Sequence, residues 1–327
     1  MELLIDIVLL TFLAITALAI SHVRKLFCAI MLASIFSLLC ACLFVTMDAV
    51  DVAFTEAAVG TGIAGILMLG ALRLTETREK RPPHQPWLAL LVVCTTGAVL
   101  IYGTADLPAY GDPAAPIHQH VAPRYISQSQ QEVGPPNFVT SVLASYRGFD
   151  TLGETLVIFT AGVSVVALLG FRSLRQFLRN RRRPSVMADH LVLRIVAKMF
   201  IPLILLFALY VQFHGDYGPG GGFQAGVILA SALILYTLTY GLAKALQVLP
   251  PRILYLLAAG GVLLYGGTGW LCVLRGGHFL DYRALASDPL VGQHLGILLI
   301  EAGVGMTVFA VMVLMFFAFS SCKEPQS

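Results

Sequence analysis

The stretch HGDYGPGGGFQAG, residues 214–226, lies between two apolar runs, Leu191–Phe213 and Phe223–Ala243. Each run is long enough to cross a bilayer, which takes roughly 20 apolar residues. Four glycines and one proline fall within positions 218–222, and in a helix interior each glycine costs about 1 kcal/mol and a proline about 3. The stretch therefore predicts a tight turn between two membrane-spanning helices, with Gly220–Gly222 opening the second one.

The glycines of this turn are consistent with two roles. A close-packed hairpin turn needs residues without side chains. A backbone segment that lines a wet cavity needs them too, because non-helical backbone at membrane depth survives only against protein or water. In the second case Gly220–Gly222 would present three bare N–H groups.

The composition predicts an all-α polytopic membrane protein. Of 327 residues, 57% are hydrophobic and 12% charged, with a mean hydropathy of +0.82, whereas soluble domains carry about 25% charged residues. We expect the first apolar run to be a retained helix, because it has neither a basic leader nor a small-residue cleavage site. Nine runs have spanning length: 3–20, 26–46, 52–72, 87–104, 152–171, 191–213, 223–243, 253–273 and 290–320.

Lys and Arg are distributed unevenly between the connections of these runs. The even-numbered connections hold four: Arg124, Arg147, Arg275 and Arg283. The odd-numbered connections and the C-terminal tail hold fifteen: Arg24, Lys25, Arg73, Arg78, Lys80, Arg81, Arg172, Arg175, Arg179, Arg181, Arg182, Arg183, Lys244, Arg252 and Lys323. The positive-inside rule then predicts an outer N-terminus and a cytoplasmic C-terminus, which an odd number of spans requires.

Several classes of function are disfavoured. The six cysteines form no CxxC pair, so we expect buried thiols and neither a metal site nor a disulfide scaffold. The chain has no GxxxxGK phosphate motif and no basic-aromatic patch suited to nucleic acid. No nucleophile–base pair is visible either. We therefore expect no cofactor, no metal, no nucleic-acid partner and no enzymatic activity.

Glu56, Glu154 and Glu301 fall inside apolar runs, where charges are expensive and are functional candidates by default. Glu56 follows one turn after the start of the third run, and Glu154 lies near the start of the fifth. Glu301 is 11 residues into the last run, or roughly 16 Å deep. Each is a candidate for binding protons or sodium. The alternatives are a helix-capping salt bridge for Glu154 and one interhelical hydrogen bond for Glu301.

Three further charged residues lie near these candidates. Asp51 precedes Glu56 and either attracts cations to it or is an inert boundary residue. Asp150 recurs at helical spacing with Arg147 and Glu154, so the three share a face and are able to pair. Lys198, about two turns into the sixth run, either snorkels to the cytoplasm or faces a buried carboxylate.

The wording GDYGPGGGFQAG resembles the GHNxPGGGFxxG signature of MnhB, the B subunit of Mrp-type multisubunit sodium/proton antiporters. The family's Gly-His-Asn order is His214-Gly215-Asp216 here. The motif residues that the resemblance singles out are His214, Asp216, Pro219, Gly220, Gly221, Gly222, Phe223 and Gly226.

Two upstream stretches resemble modules of membrane-bound hydrogenases and related antiporters. DVAFTEAAVG, residues 51–60, resembles the MbhD-type module, and NFVTSVLASYRGFDTLGE, residues 137–154, resembles the MbhE-type module. In the latter, Ser145 stands where the module commonly has Asp. We therefore predict an MbhD-like three-helix module over 1–80, an MbhE-like two-helix module over 87–180 and an MnhB-like four-helix module over 185–327.

The resemblance implies a non-catalytic subunit of a multisubunit cation/proton antiporter in the prokaryotic inner membrane. Its partners would be other antiporter-type membrane subunits, the lipid bilayer, Na⁺ and H⁺. No series of lysines runs through the helix interiors, so we expect the chain not to transport alone. A structural subunit of a hydrogenase-like or other respiratory redox complex, without its own ion path, is the alternative.

Overall fold

A computed structural model describes residues 2–80, 86–109, 111–170 and 190–321. Within these ranges the chain is helical, and nine helices are long and apolar enough to cross a membrane, which confirms the predicted fold class. The orientation of the termini stays a prediction, and the basic run 172–183 lies outside the described residues. The nine helices are α1 Glu2–His22, α2 Leu26–Thr46, α3 Val50–Leu72, α4 Pro86–Thr104, α5 Gly148–Leu169, α6 Leu191–His214, α7 Gly222–Tyr240, α8 Pro251–Leu274 and α9 Pro289–Ser321.

Two helix boundaries differ from the predicted ones for local reasons. Helix α5 begins at Gly148, four residues before the predicted start, with Arg147 as its N-cap residue. Helix α7 ends at Tyr240 because Gly241 adopts φ +89°, a conformation that favours glycine. A short helix, Leu242–Val248, follows.

A short amphipathic helix, Ala122–Glu132, lies in the connection between α4 and α5. Residues 105–136 are rich in Pro, Gln and Ser, a composition that predicts irregular structure, and for residues 122–132 that prediction was wrong. Pro123 lies in the first turn of the helix. Backbone N–H groups in the first turn make no hydrogen bond within the helix, so a proline there removes none. Glu132 at the other end accepts hydrogen bonds from Arg124 at 2.9 Å and from the Tyr146 hydroxyl at 2.5 Å.

The core of the protein lies where α7, α8 and α9 pack together. In the most apolar window of each helix, 61% of the α9 residues and 56% of the α7 residues are buried, against none for α4. Glycines bring these helices into backbone contact. A β-carbon on Gly226 of α7 would lie 2.7 Å from the Gly305 carbonyl of α9. Small residues at helix interfaces permit such close approach in membrane proteins.

Helix α3 is not a regular α-helix along its whole length. Its middle part, Ala57–Ala64, is π-helical, between the α-helical parts Val50–Glu56 and Gly65–Leu72. A second π-helical segment, Ser141–Tyr146, immediately precedes α5. π-helical turns are rare and occur frequently at functional sites.

Candidate functional site

A cavity of about 620 Å³ lies where segments of all three predicted modules meet. It is bounded by the start of α3, residues 139–144, the first half of α5, the glycine-rich turn and the middle of α9. Most of its wall is apolar. Its polar side chains include Asp51, Thr55, Thr140, Glu154, Gln224 and Glu301.

The glycine-rich turn forms one wall of this cavity and has the tight geometry that the sequence predicts. Gly221 adopts φ +115°, which L side chains rarely tolerate. Its N–H donates to the Val211 carbonyl at 3.1 Å, closing the turn against the end of α6. Helix α7 begins at Gly222, with Gly220–Phe223 lining the cavity. The sequence left two roles open for these glycines, a tight turn or the wall of a cavity. In the structure the same residues have both roles.

Two side chains from the segment before α5 hold this turn in place. The Asn137 amide donates to the carbonyls of Gly215 and Gly218 at 3.3 and 3.2 Å. The Thr140 hydroxyl donates to the Gly215 carbonyl at 2.6 Å. The sequence analysis did not identify either residue. The donors and acceptors are 75 to 81 positions apart, and a local sequence pattern does not predict such long-range contacts.

Glu301 lies directly behind the turn. A β-carbon on Gly221 would stand 3.3 Å from Glu301 Oε1, and one on Gly222 would stand 2.8 Å from the Glu301 carbonyl carbon. The glycines therefore let the turn approach this carboxyl group more closely than any other residue would. Glu301 is 12 residues from the start of α9, roughly 18 Å along the helix.

Glu154 lines the cavity, whereas its two charged neighbours in sequence do not. Arg147 and Asp150 pair with each other at 2.5 Å, and both side chains are more than half exposed. Among the described residues, Glu154 takes part in no ion pair. We predicted that Arg147, Asp150 and Glu154 share a helix face and are able to pair. Arg147 and Asp150 do pair, whereas the Glu154 side chain lines the cavity.

Asp51 and Glu56 point to different sides of α3. Asp51 lines the cavity and faces the Asn137 side chain and the Gly220 backbone amide. The Glu56 carboxyl group instead lies against Gly60 and the Ser37 hydroxyl of α2. The residues Asp51, Glu154 and Glu301 thus meet at one cavity, and Glu56 is absent from its lining.

The other candidate residues lie away from the cavity. Lys198 is exposed on α6. The His214 ring stacks on Tyr210, with 4.8 Å between ring centroids. Asp216 approaches His294, at 3.0 Å between Oδ2 and Nδ1. Sequence reasoning did not single out His294.

Comparison with known proteins places the chain in a family. Profiles match residues 11–77 (MbhD, the D subunit of MBH), 92–185 (MbhE, the E subunit of MBH) and 192–314 (domain related to the MnhB subunit of Na+/H+ antiporter). The antiporter subunit mnhB2 of Staphylococcus haemolyticus is 36% identical over 139 residues, which is 42% of this chain and 98% of that protein. The chain belongs to the MnhB family. It is a multi-pass membrane protein of prokaryotic type.

Longer relatives extend this similarity beyond the MnhB part. The A/B subunit of a K(+)/H(+) antiporter from Rhizobium meliloti (strain 1021) is 26% identical over 315 residues, covering 87% of this chain. The chain spans only 31% of that relative's length.

Two solved structures share the fold. The Mrp complex from Dietzia sp. DQ12-45-1b contains a chain that is 23% identical with a TM-score of 0.75, covering 98% of this chain and 35% of that one. The membrane-bound sulfane sulfur reductase, an archaeal respiratory membrane complex, contains one that is 28% identical with a TM-score of 0.54, covering 71% of this chain and 97% of that one.

The MnhB signature also corrects the alignment of the turn. If the proline of GHNxP is aligned with Pro219, the glycine of the signature aligns with Gly215. The histidine of the signature then aligns with Asp216. His214 therefore lies before the motif. In this chain the acid at the motif position pairs with a histidine from α9.

Proposed function

We propose that this MnhB-family chain is a non-catalytic subunit of a multisubunit cation/proton antiporter and forms part of its ion path. The observation that carries the proposal is the meeting of Asp51, Glu154 and Glu301 at one cavity of about 620 Å³. Carboxylates at membrane depth are costly and mark ion and proton routes. The names of the relatives, which are antiporter subunits, support the same function.

The lining suits an ion that is exchanged for protons. Carboxylate and hydroxyl oxygens are ligands of hard cations, and the cavity supplies both kinds, from the three acids and from Thr55 and Thr140. A carboxylate also binds a proton, so Na⁺ and H⁺ would compete for the same oxygens. Glu301, in the middle of the best-buried helix, is the central exchange group.

Other membrane subunits would complete the path. Helix α4 buries none of its residues within the chain, and the chain spans about a third of the length of the K(+)/H(+) antiporter protein that it resembles. The partners would be antiporter-type membrane subunits of a hetero-oligomeric complex in the prokaryotic inner membrane.

The test is charge removal in the assembled complex. Glu301→Gln, Glu154→Gln and Asp51→Asn should each abolish or strongly reduce cation/proton exchange in membrane vesicles, while the complex still copurifies. Glu76→Gln is the matched control, because Glu76 forms an exposed pair with Lys80 outside the cavity. Glu56→Gln should reduce exchange less than Glu301→Gln does, since Glu56 lies off the cavity.

A structural subunit of a respiratory redox complex is the second candidate, favoured by the likeness to the sulfane sulfur reductase complex. In that case the three cavity variants would leave exchange unchanged or would prevent assembly. If the three cavity variants lose cation/proton exchange while the complex stays assembled, the antiporter function is supported and the purely structural one is excluded.

A further inference from the structure

The Asp216–His294 pair connects the surface of the chain with its interior. His294 Nδ1 lies 3.0 Å from Asp216 Oδ2, and the His294 side chain is 60% exposed while that of Asp216 is only 17% exposed. The imidazole therefore lies at the surface of this chain, and the carboxylate is largely buried.

Asp216 contacts His294 and belongs to the turn that packs against Glu301. His294 and Glu301 are seven residues apart on α9, which places them on one face of the helix about 10 Å apart. Asp216 belongs to the same turn as Gly221 and Gly222, which lie against Glu301. The three groups thus form a row from the exposed histidine to the cavity carboxylate.

We propose that Asp216 and His294 form the proton-uptake pair that supplies Glu301. This inference rests on the proposed function, since it assigns the route by which protons reach the cavity. A proton from water binds Nε2 of His294, the Nδ1 proton passes to Asp216 Oδ2, and Asp216 then protonates the Glu301 carboxylate. Asp216 is again a carboxylate, and exchange with water restores the starting tautomer of His294. The net change is one proton moved from water to Glu301.

The surroundings of the pair favour transfer over a purely structural contact. The turn presents Asp216 to His294, and Gly221 and Gly222 of the same turn lie against Glu301. Within the described part of the chain, no lysine or arginine forms an ion pair with any of the three. The row therefore holds two carboxylates and one imidazole, and its first two members are in direct contact.

The experiment measures proton uptake by the complete complex in proteoliposomes with a pH-sensitive dye. Asp216→Asn and His294→Ala should slow uptake about a hundredfold, the lower end of what a positioned proton carrier supplies. Imidazole added to the solution should restore the rate of the His294→Ala complex, because the native ring is exposed. The exchanged pair, Asp216→His with His294→Asp, should also recover uptake, since it keeps both groups in contact.

The matched control is His278→Ala. His278 is exposed in the connection between α8 and α9 and lies outside the row, so its removal should leave uptake unchanged. Normal uptake by Asp216→Asn and His294→Ala, with uptake lost in Glu301→Gln, would overturn the proton-uptake pair and leave the proposed function standing. Slow uptake that imidazole does not restore would also overturn it, as a structural role predicts that result. An active Glu301→Gln complex would instead refute the proposed function.

Discussion

Gly222 lies where the start of α7 packs against the middle of α9. A β-carbon there would stand 2.8 Å from the Glu301 carbonyl carbon and 3.1 Å from its Cα, and backbone atoms cannot move aside as a flexible side chain does. Gly222→Ala should therefore destabilise the chain by about 2–3 kcal/mol, the upper part of the range for overpacking. Thermal unfolding of the detergent-solubilised chain measures this.

The matched control for that variant is Gly267→Ala. Gly267 lies inside α8, and a β-carbon there would meet nothing within 4 Å. Alanine is favoured over glycine in a helix interior by about 1 kcal/mol, so this variant should be neutral or slightly stabilising. Equal unfolding temperatures for the two variants would contradict the close contact between α7 and α9.

Glu132 ties the short helix Ala122–Glu132 to the segment before α5. Hydrogen bonds from Tyr146 and Arg124 lower the pKa of this carboxyl group below its ordinary value of 4.5, and burial with the hydrogen bond to Glu132 raises the pKa of Tyr146 to about 12. A lowered carboxyl pKa gives stability that is present above the unfolded value and is lost as the pH falls through the folded value.

We therefore expect the unfolding temperature to fall as the pH drops below about 4.5, with a shallower fall in Glu132→Gln, which cannot titrate there. The hydrogen bond from Tyr146 is the largest cause of the lowered pKa of Glu132. Because Tyr146→Phe removes this bond, the pKa of Glu132 should rise towards 4.5. Thermal scans between about pH 3 and 6 measure the effect. Identical pH profiles for the parent chain and Glu132→Gln would contradict this account.

At the scale of elements, the sequence predicts the spanning helices well because each needs only one long apolar run. It fails for Ala122–Glu132, whose low hydropathy and proline resemble a loop although its buried face includes Ser129 and is followed by buried Val133. The packing of that face against Tyr146 and its neighbours forms only in three dimensions.

The site is less predictable than the helices. Glu154 and Glu301 stand out individually as charges in apolar runs, but their meeting depends on how α5 and α9 pack. Asp51 and Glu56 are five residues apart on α3, so about 140° separates their side chains on a helix. Only one of them faces the cavity, and the sequence does not show which face of α3 packs inward. The contacts of Asn137 and His294 are likewise long-range.

Helix α4 differs from the other spanning helices because it buries none of its residues within the chain. Cys94 on α4 is exposed, whereas Cys272 on α8 is fully buried. Since buried thiols are unreactive, a small maleimide should modify Cys94 in the detergent-solubilised chain and leave Cys272 intact until the protein unfolds. Peptide mass spectrometry reads both sites in one sample, and early modification of Cys272 would contradict the packing of α8.

At the scale of the whole molecule, the cavity is a joint product of three segments. The start of α3, the segment leading into α5 and the turn before α7 each resemble a different module, and each contributes at least one polar group to the lining. Gln224 of α7 donates to Thr55 of α3 at 2.7 Å, which ties the first and last of these segments together. Because one chain carries all three segments, their relative positions are fixed within that chain. If the segments belonged to separate subunits, the subunits would have to associate to form the same cavity.

The direction of proton uptake depends on the orientation of the chain in the membrane. The Lys and Arg distribution predicts that the connection between α4 and α5 faces outward and the one between α3 and α4 faces the cytoplasm. The turn before α7 and His294 would then lie on the outer side. In a cysteine-free background, Ser127→Cys should react with a membrane-impermeant maleimide in intact cells, and Glu79→Cys only after permeabilisation, as both positions are exposed. The reverse pattern would place the Asp216–His294 pair on the cytoplasmic side, so that the same row of groups would deliver protons from the cell interior.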